Sequence, residues 1–459
     1  MKLKRLIVAI IVCVISVGLF AGCTSSSSSG SSIKGKLFSK EDLDAKVYEN
    51  LPVIEIDTQD HQVPIDKENY VNCGFKISNC EDESHNFEVS MKGQYGDDDS
   101  VGIRLRGNTT RLMPKKPYRI KFDSKTSLLG LEKNKSWVLL ADYKDSSKIR
   151  NYAAMTIGNS LDNLDFTPTP HHVVLFLNGY YQGLYLLCEQ VDENKGRTNI
   201  KQDISPIDTS FPFLVEMDRR ALEEGVTGVD NFKPEYFQPV EIKYPEADER
   251  LAGTTDIVFN YIQEYINAVF KSLVENTAVN VSFSGTPMRF EDLVDIDSFL
   301  EYYLVNEVMY NVDASWGSIY MHKTKDGKLK FGPLWDFDYS MSDEFDYEPY
   351  DKSEIYLAKM LCMLREDTPL WHYAKNEANY IKLCNKWQSI SVKVLNVCED
   401  LSQYKSTIIE ASKFDAEYWY GKTGSYQADM QYDYVRLFLI DRVAYLDKTL
   451  IVSNYNTIF

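Results

Sequence analysis

The chain is poor in histidine, with six in 459 residues, and none of them has a second ligand at helical spacing. It has no HExxH pair, no GxSxG elbow, no GxGxxG turn and no P-loop ending in its lysine. Zinc peptidases, α/β-hydrolases, dinucleotide enzymes and P-loop NTPases are thereby set aside. Eight cysteines include no CxxC pair, so nothing has the spacing of a structural zinc site. Cys73 and Cys80 could close a small loop in an oxidising compartment; otherwise they are buried thiols like Cys188, Cys362, Cys384 and Cys398. Basic residues are outnumbered, 50 against 68 acids, for a net charge of −18. Such a surface repels nucleic acid, so no nucleic-acid partner is expected. No internal repeat is visible.

The long apolar run is confined to the start, MKLKRLIVAIIVCVISVGLFAGC. Lys2, Lys4 and Arg5 precede apolar residues 6–20, and Ala21-Gly22 supply the small residues of a cleavage site. Residues 1–22 read as an export signal. Cys23 makes it resemble a bacterial lipoprotein signal, with that cysteine as the lipidated new N-terminus. The alternatives are a plain signal peptide or a membrane anchor, for which the run is short. TSSSSSGSS follows, so residues 23–32 read as a lipidated cysteine and a flexible tether. The expected location is the outer face of the cell membrane or a spore surface.

The body is expected to be α+β, with a core over 33–352 and a helical part over 353–459 packed on it. VVLFLNGYYQGLYLL (173–187) is a hairpin turning at Asn178-Gly179, and SIYMHKTKDGKLKFGPL (318–334) turns at Asp326-Gly327. Residues 256–275 and 293–311 have helical periodicity, with Asp297 as a cap for the second, and 433–450 is amphipathic without breakers.

Two constellations carry chemistry. The first is GIRLRGNTTRLMPKKPYRIKF (102–122), with seven basic residues and no acid. Strand alternation puts Ile103 and Leu105 on one face and Arg104 and Arg106 on the other. Ile120 and Phe122 likewise oppose Arg119 and Lys121. Gly107-Asn108-Thr109-Thr110 between them suits a turn that aims N–H groups at an anion. A phosphate or nucleotide site is one reading; a cationic face paired with acids elsewhere is the other.

The second is a set of acids. In GPLWDFDYSM (332–341), Asp336 and Asp338 bracket one aromatic, and a bound cation would relieve their repulsion. Asp313 precedes the strand whose hairpin partner ends just before Asp336. A hairpin brings its two ends together, so the three carboxylates should meet at one sheet end. With the basic cluster, that suggests metal-assisted phosphoryl transfer. Glu189, closing the strand of the Asn178-Gly179 hairpin, could pair with Lys121 or Arg119; a solvated strand end is the other reading. A glycosyltransferase using Asp-x-Asp would need a βαβ half, which the antiparallel pattern lacks.

IRLRGNTTRLMPKKPYRIKF, SLLGLEKNKSWVLLADYKDSSKIRNYAA, FLNGYYQGLYLLCEQV and KLKFGPLWDFD occur in this order. Together they resemble the CotH family of atypical secreted protein kinases, first known from bacterial spore coats. The resemblance runs from about 51 to 450. It implies a remote protein-kinase-like fold, ATP with Mg²⁺ or Mn²⁺, and phosphorylation of Ser or Thr on proteins. It also implies Asp313 as catalytic aspartate, Asp336 as metal ligand and Asp338 as the second acid of that motif. Arg104, Arg106, Asn108, Arg119, Lys121 and Glu189 fall to the nucleotide. Many members carry Asn five residues after the catalytic aspartate; here Ser318 stands there as a candidate metal ligand. The acidic surface suits a basic, Ser-rich protein substrate. A non-catalytic adhesion or scaffold module of the same fold is the alternative.

Overall fold

The computed structural model describes residues 33 and 35–459, apart from 206–207, 224, 248, 251–254 and 343–354. The signal, Cys23 and the tether lie outside the described residues, as does the 352/353 division. Among the described residues, no helix is long and apolar enough to cross a membrane.

Eight strands make the first layer: β1 (Val53–Thr58), β2 (Val71–Ser78), β3 (Phe87–Val89), β4 (Val101–Leu105), β5 (Tyr118–Thr126), β6 (Asn134–Leu140), β7 (His171–Leu177) and β8 (Tyr180–Glu189). Their order is β1-β7-β8-β6-β5-β4-β2-β3, and β1 also pairs with β2. The sheet therefore closes on itself as a seven-strand barrel, with β3 outside the ring. An antiparallel sheet was expected; one pair, β1 with β7, is parallel. Closure matters because it leaves no free edge within the ring; only the three-residue β3 has one. Alternation along each strand sorts the side chains. Ile103, Ile120, Trp137, Leu139 and Leu187 fill the interior. Val138, Leu140, Leu186 and Cys188 point outward and are still buried, because a second layer covers them. Full burial of such a side chain stabilises by about 1.5–3 kcal/mol.

The covering layer is an antiparallel sheet in the order β10-β11-β9-β12-β13. Its strands are β9 (Phe213–Met217), β10 (Asn231–Phe232), β11 (Val240–Tyr244), β12 (Ile319–Lys323) and β13 (Lys330–Phe331). Leu214, Tyr244 and Tyr320 from this sheet, with Trp335, pack on the outer barrel wall. Both expected hairpins form. At the first turn Asn178 and Gly179 have φ of 54° and 79°, the left-handed pair a two-residue hairpin favours.

Helices Thr255–Glu275, Ile296–Val308, Glu377–Tyr420 and Lys422–Thr449 follow the expected helical stretches. The cap of the second is Asp295, which accepts from the Ser298 N–H at 2.9 Å, and not Asp297, which sits in the first turn. The cap is the residue just before the helix begins, two positions earlier than the sequence pattern suggested. Helix Arg150–Asn159 was not anticipated. Gly421, at φ 91°, separates the last two long helices, which pack against each other. The Cys73–Cys80 loop closure does not occur: both are free buried thiols, as are Cys188, Cys362, Cys384 and Cys398.

Candidate active site

A cavity of about 390 Å³ opens where the outer barrel wall meets one end of the second sheet. Topology explains what gathers there. β9 ends at Met217, directly before Asp218, and Met217 pairs with Ile319, directly after Ser318. β13 pairs with β12 and leads through Pro333 to Asp336. Asp218, Asp313, Ser318, Asp336 and Asp338 therefore line one wall, although some 120 residues separate the first from the last.

The barrel supplies the opposite wall. Arg104 and Arg119 are directly paired across β4 and β5, and with Arg106 and Asn108 they line the cavity. Gly107 turns the chain after β4 with φ 76°. The Arg104 guanidinium lies over Tyr70 at 4.7 Å and Arg106 over Trp335 at 5.2 Å. Arg119 donates to the Ser136 hydroxyl at 3.1 Å.

Lys121 and Glu189 stand apart from this group. Lys121 pairs with Gly102, one same-face step further from the Gly107 turn, and points over Tyr70 outside the cavity lining. Glu189 faces Trp137 across β6 and β8, so it shares the interior side of the barrel. Arg119 faces Val138, on the outer side. Strand alternation thus forbids the expected pairing. Glu189 instead accepts from the Thr169 N–H at 2.6 Å and lies 3.7 Å from Arg197.

Electrostatics single out the acid wall. Burial, then the neighbouring Asp336 charge, pushes the Asp313 carboxyl up to about 7, against the pull of Arg219. Asp338 is driven well above the carboxylate range by burial and by Asp336. Asp218 is raised by burial, with Glu216 and Asp336 adding to it. Ser318 donates its hydroxyl to Asp336 Oδ2 at 3.0 Å. Asp336 and Ser318 both have left-handed backbone, at φ 69° and 56°, which non-glycine residues adopt at a cost. Asp338 Oδ1 is buried with no hydrogen-bond partner among the described residues.

An unpartnered buried carboxylate oxygen beside a second carboxylate fits a cation. No group of three or more His, Cys, Asp or Glu among the described residues is arranged to hold a metal by itself. Mg²⁺ does not need one: it is commonly held by one or two carboxylates, with phosphates and water completing the shell. Asp336 and Asp338, with the Ser318 hydroxyl, are the groups that suit it.

Sequence reasoning missed Asp218, Arg219, Arg220, Asn151 and Asp142, all on the cavity wall. Asp218 carried a readable signal, an acid directly after the strand-like run FPFLVEM. Asn151 and Asp142, within SLLGLEKNKSWVLLADYKDSSKIRNYAA, carry no local signal of their own.

A family model described as CotH kinase protein matches residues 103–446, most of the chain. No curated protein matches it.

Proposed function

Because the chain belongs to the CotH family, whose description implies a kinase-like enzyme, we propose that it transfers phosphate from ATP to Ser or Thr on a protein. The observation that carries the reading is the division of one cavity into an arginine wall and an acid wall. A nucleotide triphosphate and a divalent cation need both. In this reading Arg104, Arg106 and Arg119, with the turn at Asn108, bind and orient the phosphates. Asp336 and Asp338, with Ser318, hold Mg²⁺ or Mn²⁺, which when bound neutralises charge on the transferring group. Asp313 accepts the proton of the substrate hydroxyl. A carboxyl titrating near neutral pH is suited to that role. Most of the rate enhancement then comes from positioning and fixed charge. The remote kinase-like architecture belongs to the same proposal. Its support is the chain order of parts: basic strands, then Asp313, then the hairpin, then Asp336.

The substrate side of the proposal is a basic, Ser-rich protein, drawn by a chain of net charge −18. The signal would direct export, and the lipidated Cys23 would hold the enzyme to the outer face of a membrane. Labelled γ-phosphate transfer to such an acceptor, with Mg²⁺ and with Mn²⁺, tests the reading beside Asp336→Ala. Transfer that vanishes in the variant is expected. A folded wild type that binds no ATP would overturn it. The second reading, a non-catalytic surface module, draws on Ser318 where many members carry Asn and on the tether at Cys23; it predicts no nucleotide binding.

A further inference from the structure

The stretch ADYKDSSKIRN (141–151) has no part in the proposal above, yet it is among the most polar buried segments of the molecule. Asp142, Lys144, Asp145, Ser146, Ser147, Lys148, Arg150 and Asn151 are all buried. A run of this kind survives burial only when its groups are satisfied, so its partners show what it holds.

Its partners are the backbone of WDFD. Asn151 Oδ1 accepts from the Phe337 N–H at 2.8 Å. Arg150 donates from its guanidinium to the Asp338 carbonyl at 3.3 Å. From the other side, Asn311 Nδ2 reaches the Asp336 carbonyl at 3.4 Å. Backbone groups of three successive residues are thus gripped, including the left-handed Asp336. The grip is anchored in turn. Asn151 Nδ2 donates to Asp142 Oδ1 at 2.8 Å, and Lys148 Nζ donates to the Asp142 carbonyl at 2.8 Å. Lys148 lies 3.2 Å from Asp415, which also meets Lys115 at 2.7 Å and accepts from the Leu184 N–H at 2.9 Å. Asp415 belongs to the helix Glu377–Tyr420, and Tyr420 at its end donates to the Tyr143 carbonyl. All three charged groups of that knot are buried, at 1% exposure or less.

We infer that Asn151 and Arg150 are positioning residues for the acid loop, clamping WDFD in the backbone conformation that presents Asp336 and Asp338 to the cavity. The clamp is closed from behind by Asp415 of the C-terminal helices, which makes those helices part of the site's support. Removing an outer support of this kind commonly weakens metal affinity 10–100-fold. The metal part of this inference rests on the reading proposed above; the clamp itself does not.

The test compares Asn151→Ala and Asn151→Ser with Asn159→Ala in the whole protein. Asn159 lies on the same helix, and its amide donates instead to the Pro168 carbonyl at 3.0 Å. Two quantities are read: amide hydrogen exchange of the segment 334–341, and Mn²⁺ affinity. Exchange about 10-fold faster and Mn²⁺ binding about 10-fold weaker are expected for the Asn151 variants. Asn159→Ala should change neither, at whatever stability it loses. Unchanged exchange at 334–341 in either folded Asn151 variant would overturn the clamp. So would fast exchange of the Phe337 amide in the wild type, a measurement that needs no variant. A wild type that binds no Mn²⁺ would sink the metal reading and leave the clamp to be decided by exchange.

Discussion

Two regions of this molecule bury charge, and they handle it in opposite ways. Against the barrel, Asp415 meets both Lys115 and Lys148, and between the helices Glu307 meets Arg442, so each of these two buried acids has a buried cation. On the cavity wall, Asp313, Asp336, Asp338 and Asp218 face one another, and two of them are held well above the carboxylate range. The paired knots fix the frame. The unpaired acids are a cost the fold carries only if something else neutralises them, which is how a functional site differs from a structural one.

Breaking each region should therefore show a different loss. Asp336→Ala should cut phosphate transfer about 10³-fold or more, some 4 kcal/mol, while leaving thermal stability unchanged or higher. Kinetics and a melt on the same sample check both halves. Asp415→Asn should do the reverse. It leaves two lysines buried without a carboxylate and should cost about 3–5 kcal/mol in denaturant unfolding, as should Arg442→Met, which strands Glu307.

The frame also has its own pH signature. His172 is held between the Tyr404 hydroxyl, at 2.9 Å, and the Lys148 carbonyl, at 2.8 Å. Burial holds its imidazole down at about 4, from an ordinary value of 6.5. Between those values the unfolded chain binds the extra proton. Stability is thus complete above about pH 6.5 and falls as pH drops toward 4, by on the order of 3 kcal/mol. Unfolding of His172→Gln across that range should show a flatter slope. On the acid wall the sign reverses: a raised carboxyl is easier to bury protonated, so Asp338→Asn should stabilise the metal-free protein at pH 7, read as a higher denaturant midpoint. The smallest effect separates neighbouring basic residues. Lys121→Ala, outside the cavity, should leave the ATP KM within about twofold, whereas Arg119→Ala should raise it about tenfold or more.

Much of this was readable in the chain because it is local. The two hairpins follow from turn residues, and the Arg104/Arg106 face from period-two alternation. The meeting of Asp313 with Asp336 follows from the geometry of one hairpin. What stayed hidden depends on distant pairing. Closure of the barrel needs β1 beside β7, a parallel contact with no turn to announce it. The partner of Lys115 is 300 residues away at Asp415. The Glu189 expectation failed because its face depends on its register against Trp137 in β6, which no local pattern records.

The most direct test of the contrast between the two regions is the melting temperature as Mn²⁺ is added, with wild type and Asp336→Ala side by side. If the acid wall belongs to a cation, the wild type should rise, by the equivalent of about 2.7 kcal/mol at a hundredfold excess over Kd, and the variant should stay flat. A wild type that does not respond to Mn²⁺, with or without ATP, would contradict the account.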